Sequence, residues 1–207
     1  PIWIQVALQA VLRQREIHVL LEVLRTSPKI NTNRVQLLKY GDYLKALQPP
    51  LSVNIIRTPP LRGSSLILID PNIIFTSLDN FFGGFGRGIG VLPAGRMFTP
   101  TESRVIHIIM EVAFKSLKEA WQPLLALDFE QVNSEINPQF AQIADENDLV
   151  IVNHFDAECG DGPGFIDIVY PYSSLKPIRE LLRSRVQAVD GDPESEKIWQ
   201  ENLTAAL

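Results

Sequence analysis

Cysteine is nearly absent: Cys159 stands alone in 207 residues, which excludes an internal disulfide framework and any structural zinc site built on several thiolates. Nor is there an excess of positive charge. Nineteen Lys and Arg stand against 24 Asp and Glu, a formal net charge of -5, whereas a nucleic-acid binder normally carries a basic face. No run approaches the roughly 20 uninterrupted apolar residues that a membrane span requires. The apolar opening Pro1–Leu12 lacks the basic start of a signal peptide. With 45% apolar and 21% charged residues, the chain is too hydrophobic and too weakly charged to be disordered. What remains is a soluble, intracellular, globular protein, long enough for one domain or one domain and a tail.

Hydrophobic spacing supplies the elements. Ile4, Leu8, Val11 and Leu12, then Ile17, Leu20, Leu21 and Leu24, recur every three or four residues and predict a helix over roughly residues 3–25. Ser27-Pro28 ends it, because the residue before proline is pushed out of the helical region. A short strand near Arg34–Lys39 and a helical turn over Tyr40–Leu47 follow. Ser52–Arg57 and Ser64–Asp70 predict an antiparallel pair joined through Pro59-Pro60-Leu61-Arg62-Gly63. Asp70-Pro71 opens a helix through Ile74, Phe75, Leu78, Phe81 and Phe82, and Gly83-Gly84 stops it. Thr99-Pro100-Thr101-Glu102 has the form of a capping box, starting a helix that runs to about Trp121. Strands are expected at Leu127–Ser134, Gln139–Ile143, Leu149–Asp156 and Gly164–Tyr170, and a helix at Ser173–Arg185. From Asp190 to Glu196 the composition turns to Gly, Pro, Ser and acid, the mark of a linker, before a short helix over Glu196–Leu207.

The two halves resemble each other. Ile17-His18-Val19-Leu20-Leu21-Glu22-Val23 matches Ile106-His107-Ile108-Ile109-Met110-Glu111-Val112. Ile69, Pro71, Phe75, Leu78 and Phe82 line up with Val169, Pro171, Leu175, Ile178 and Leu182. Such internal repetition decides the fold class. Neither half covers a sheet alone, so one shared sheet with helices on both faces is expected.

The segment Asn80-Phe81-Phe82-Gly83-Gly84-Phe85-Gly86-Arg87-Gly88-Ile89-Gly90 holds five glycines within eight positions, a large entropic cost. A phosphate cradle would need a strand before the glycines and a helix N-terminus directly after. Here a helix precedes and a long loop follows. A plain connector leaves Phe81, Phe82 and Phe85 unexplained. A protein-binding loop, where glycine lets another backbone approach closely, accounts for both. His18 and His107 hold matching repeat positions, with only Glu22 and Glu111 four residues on, so no metal site is expected there. Alternation puts His154 and Asp156 on one strand face, but His154, Asp156 and Cys159 lack a second ligand cluster and read as surface or turn residues. No Gly-x-Ser-x-Gly elbow is present. No catalytic residue and no cofactor are expected.

Several strings together resemble one family. Pro60-Leu61-Arg62-Gly63, Asp79-Asn80-Phe81-Phe82-Gly83-Gly84-Phe85-Gly86-Arg87, Gly95-Arg96-Met97-Phe98-Thr99-Pro100-Thr101-Glu102, Glu119-Ala120-Trp121, Ser134-Glu135-Ile136-Asn137-Pro138-Gln139-Phe140 and the run Pro171 to Leu182 look like the middle domain of the flagellar motor switch FliM family, in the same order, over about residues 16–205. The resemblance implies an α/β fold of the CheC-like type: a pseudo-two-fold α/β/α sandwich of two similar halves, with long helices on a largely antiparallel sheet. It implies a non-catalytic subunit of the cytoplasmic rotor ring at the flagellar basal body, without a membrane span. The expected partners are the FliG middle domain, neighbouring FliM copies, FliN and phosphorylated CheY. Carried over residue by residue, the FliG contact falls on Gly83, Gly84, Phe85, Gly86 and Arg87, with Asn80 and Phe82. The domain is expected over residues 1–189, poorly matched before about residue 14. Residues 190–207 would lead towards a C-terminal FliN-like domain beyond the chain.

The alternative the resemblance raises is a CheC-type phosphatase of phosphorylated CheY. Those relatives use Glu and, three residues on, Asn on each long helix. The matching positions here are Glu16 with Val19 and Glu102 with Val105, and valine cannot hold a water.

Overall fold

A computed structural model describes residues 29–84, 96–122, 124–159 and 162–182. The expected first helix over residues 3–25, the first member of the helix repeat and the linker after Asp190 lie outside these residues.

Among the described residues six strands form one sheet, every pair antiparallel. They are β1 (Lys29–Lys39), β2 (Ser52–Arg57), β3 (Ser64–Ile69), β4 (Glu130–Glu135), β5 (Leu149–Cys159) and β6 (Gly162–Pro171), in the order β1-β5-β6-β3-β2-β4. Among the described residues the helices are α1 (Tyr40–Ala46), α2 (Pro71–Phe81), α3 (Pro100–Trp121) and the single turn α4 (Tyr172–Leu175).

The strand order reads the same from either end about the β3–β6 pair, so the halves are related by a pseudo-two-fold axis through the centre of the sheet. Each half forms its own hairpin, β2–β3 or β5–β6, and lends its first strand to the other: β1 pairs with β5, and β4 with β2. Neither half is a complete sheet without its partner. The matched strand–proline–helix passages differ from the sequence alignment by one residue. Asp70 caps α2 and Pro171 caps α4, so Ile69 is equivalent to Tyr170. Both lie in the core beneath the long helix, whereas Val169, aligned with Ile69 in sequence, packs into the core on the opposite face. A side-chain period of two permits no other solution.

Alternation along the strands divides the core. Ile67, Ile69, Ile151, Phe155, Ile166, Ile168 and Tyr170 meet Ile73 and Ile74 of α2 and Val105, Ile109, Met110 and Trp121 of α3. Leu66, Leu68, Val53, Val150, Val152 and Val169 meet Tyr40 and Tyr43 of α1 and Ala141. The result is a three-layer α/β/α sandwich with the long helix on one face and the short α1 on the other.

Three strand expectations change. The short strand expected near Arg34–Lys39 is 11 residues long and starts at Lys29. β4 starts at Glu130, not Leu127, whose buried side chain joins the core beneath α3. Residues Gln139–Ile143 form no strand. Asn137 accepts a hydrogen bond from the Gln139 N–H at 3.0 Å and Pro138 starts a 3-10 turn, Pro138–Phe140. The apolar spacing of Ala141 and Ile143 serves the second face of the core, where the Tyr40 hydroxyl donates to the Ala141 carbonyl. The last helix is interrupted: α4 gives way to a 3-10 turn, Lys176–Ile178, before residues 179–182 resume helical form.

Candidate protein-binding site

The glycine-rich segment leaves the sheet at the end of α2. Asp70 caps the helix by accepting the Asn72 N–H at 2.7 Å, and Pro71 sits at the first helical position. Ile73, Ile74, Phe75, Thr76 and Ser77 are buried, which fixes the helix against α3 and aims its last turn outward. Phe81 and Phe82 end it 59% and 71% exposed, their rings edge to face with centroids 5.7 Å apart. Adjacent exposed aromatics cover one another only in part, and such a patch on a globular surface commonly marks a contact site.

Two caps flank residues 85–95. Before them the Gly84 N–H reaches the Asp79 carbonyl at 2.8 Å and the Gly83 N–H the Asn80 carbonyl at 3.1 Å, the Schellman arrangement, with Gly83 at φ 83° where a side chain would be strained. A Cβ on Gly83 would meet open space. On Gly84 it would lie 2.2 Å from Oδ1 of Asp79. Gly83 thus answers a backbone need and Gly84 a close approach by the chain's own carboxylate. After them the expected capping box is formed: the Glu102 N–H donates to Thr99 Oγ1 at 3.3 Å and the Thr99 N–H to Glu102 Oε2 at 2.7 Å. Arg96 adds an ion pair to Glu102 at 2.7 Å. Burial acts to raise the Glu102 carboxyl, but the hydrogen bonds from Thr99 and the Arg96 charge outweigh it and hold the group below the usual carboxylate range. Met97 beside it is 76% exposed.

Of the residues assigned to the site by sequence, Asn80, Phe82, Gly83 and Gly84 are brought together here. Phe85, Gly86 and Arg87 lie outside the described residues. Phe81, which the sequence groups with Phe82 and Phe85 but which the carried-over contact set omits, is exposed beside Phe82.

The remaining polar candidates are used internally. Glu102, the acid of the phosphatase alternative, is committed to the cap, and Val105 three residues on is buried. His107 pairs with Glu111 at 3.3 Å on the exposed side of α3. His154 and Asp156 do share a strand face, at 3.1 Å, but His154 is not simply a surface residue: it also contacts buried Asp167 at 2.5 Å. That link spans two strands, and no spacing rule along one strand reveals it. No group of three or more metal-ligating side chains occurs among the described residues, and no described helix is long and apolar enough to cross a membrane.

The family model described as flagellar motor switch protein FliM matches residues 6–187. The Pseudomonas aeruginosa flagellar motor switch protein FliM is 42% identical over 181 residues, covering 87% of this chain and 55% of that protein. The chain spans about half the length of the curated relatives it matches. Among solved structures, the FliM middle domain of Vibrio alginolyticus aligns with a TM-score of 0.74 at 35% identity, covering 84% of this chain and 99% of that one. A FliG-FliM complex from H. pylori aligns with a TM-score of 0.73 at 23% identity, covering 86% and 96%.

Proposed function

Because the chain belongs to the flagellar motor switch protein FliM family, we propose that it is the middle module of a rotor switching subunit, binding FliG through the end of α2 and the glycine loop. The carrying observation is the exposed Phe81–Phe82 pair at the end of α2, where the glycine-rich segment begins. Exposed aromatic residues beside a glycine-rich stretch suit a protein contact in which a few residues supply most of the affinity. The relative solved as a FliG-FliM complex supports the same partner.

In this reading Asn80, Phe82, Gly83, Gly84, Phe85, Gly86 and Arg87 meet the FliG middle domain, and the module catalyses nothing. Neighbouring copies pack at its flanks in a head-to-tail ring contact. Residues 1–189 are the module and 190–207 lead towards a FliN-like domain. The assembled subunit sits in the cytoplasm at the basal body and changes rotation direction in response to phosphorylated CheY.

Mixing the chain with the FliG middle domain and following co-elution by size-exclusion chromatography tests the core of this reading. A stable complex with wild-type chain, lost on Gly84→Val while the fold persists, is the expected result. Undiminished co-elution of that variant would remove the loop from the interface.

A further inference from the structure

His154 plays no part in the docking site, yet both nitrogens of its ring face carboxylates. Nδ1 lies 2.5 Å from Oδ1 of Asp167 and Nε2 3.1 Å from Oδ1 of Asp156. A neutral imidazole carries one N–H and one lone pair, so in either tautomer the lone pair would point at a carboxylate oxygen. Only the imidazolium, with a proton on each nitrogen, satisfies both contacts. Asp167 is 2% exposed, and a carboxylate that far from water needs a countercharge. His154 supplies it. The other Asp167 oxygen accepts the Tyr43 hydroxyl at 2.7 Å. Tyr43 belongs to α1, so the series Tyr43–Asp167–His154–Asp156 fastens the helix of the second face to the middle of the sheet. Phe165 stacks on the imidazole with ring centroids 5.5 Å apart. The cluster forms one wall of a cleft of about 610 Å³, whose other walls include Leu38, Leu47 and Pro50.

We propose that this cluster is a pH-sensitive clasp. With His154 protonated, α1 is held against β6 through Tyr43. Loss of the ring proton leaves Asp167 without its countercharge, weakens the tie that Tyr43 makes to it and loosens the helix over the cleft.

The surroundings fit. The hydrogen bond to Asp167 raises the imidazole above its ordinary 6.5, burial opposes it, and the charges of Asp167 and Asp156 add to the rise. From α2, Asp70 faces the same cleft. On β1, Arg34 holds the register position opposite His154, and Gln36 lines the cleft without charge. α1 contributes Tyr43, whose phenol burial and Asp167 keep protonated. A group whose folded pKa exceeds its unfolded one stabilises fully below the unfolded value, and that contribution is lost as pH rises through the folded value. The clasp therefore holds at and below about pH 6.5 and opens on the alkaline side.

Long-range proton–nitrogen NMR of the whole chain between mildly acidic and alkaline pH reads the ring proton directly. Amide exchange, expressed as protection factors, reads α1. His154 should titrate above 6.5, with protection of Tyr40–Ala46 falling about tenfold around the same midpoint. In Tyr43→Phe the ring should still titrate while α1 protection stays low and flat. A midpoint at or below the ordinary histidine value overturns the proposal. So does α1 protection that ignores the midpoint in the wild-type chain, or that still follows it in Tyr43→Phe.

Discussion

Asn54 and Asn153 are equivalent about the pseudo-two-fold axis, and each binds the carbonyl of the isoleucine opposite it on a central strand. Asn54, on β2, donates to Ile67 at 3.2 Å; Asn153, on β5, donates to Ile168 at 3.5 Å. Both are fully buried, and Ile67 and Ile168 are themselves paired across β3 and β6. The symmetry stops at the side-chain oxygens. Asn54 Oδ1 accepts from Gln131 at 2.9 Å and Ser134 at 3.3 Å of the lent strand β4. Opposite Asn153, the lent strand β1 offers Val35, and Asn153 Oδ1 has no partner among the described residues.

The two asparagines should therefore respond differently to the same change. Asn54→Leu breaks satisfied buried hydrogen bonds and should cost about 2 kcal/mol, while Asn153→Leu removes an unpaired oxygen and should stay within about 1 kcal/mol of wild type. Urea denaturation of both variants checks this. Equal losses would mean that the oxygens do not differ in their pairing.

Phe81 and Phe82 are exposed enough that truncation removes little buried area. Phe82→Ala should change stability by less than about 0.5 kcal/mol and weaken FliG binding by about 2 kcal/mol, a factor of roughly 30. Calorimetric titration with the FliG middle domain, beside a melting curve, separates the two effects.

Gly83 and Gly84 should be destabilised by different routes. Gly83→Ala places a side chain at positive φ and should cost about 1 kcal/mol. Gly84→Ala meets the Asp79 carboxylate, so its cost should fall when Asp79→Ala is made as well. A double-mutant cycle by thermal melting measures that coupling. Strict additivity would show that the carboxylate is not the obstacle.

Thr99→Ala should cost about 1 kcal/mol through the lost cap. The same variant should flatten the acid limb of the stability curve. Glu102 is held below its ordinary 4.5 in the folded chain, so its contribution is complete above that value and lost as pH falls through the folded one. Melting temperatures between about pH 6 and pH 3, with Arg96→Ala as a second variant, test the sign.

Local signals were legible wherever a contact lies close along the chain. The capping box at Thr99 and Glu102, the proline start and glycine stop of α2, and the β2–β3 pair all depend on neighbours a few residues apart, and the structure bears them out. The strand–proline–helix part of the repeat was legible too, to within one residue. Its register was not, because matching residue types do not say which way a side chain points. Gln139–Ile143 failed for the converse reason: a period of two in the sequence was produced by packing against the second face, not by a strand.

Composition, helix caps and the doubled pattern by themselves pointed to two similar halves around one shared sheet and to a glycine-rich segment beginning at the end of a helix, while the antiparallel CheC-like arrangement followed from the family resemblance. Only the tertiary structure decided that each half lends its outer strand to the other, that Asp167 is buried against His154, and that Tyr43 closes the series from a distant helix. Backbone hydrogen bonding is indifferent to which half supplies an edge strand. Ionic pairing depends on burial, which no local stretch of chain can express until both faces of the sheet are covered.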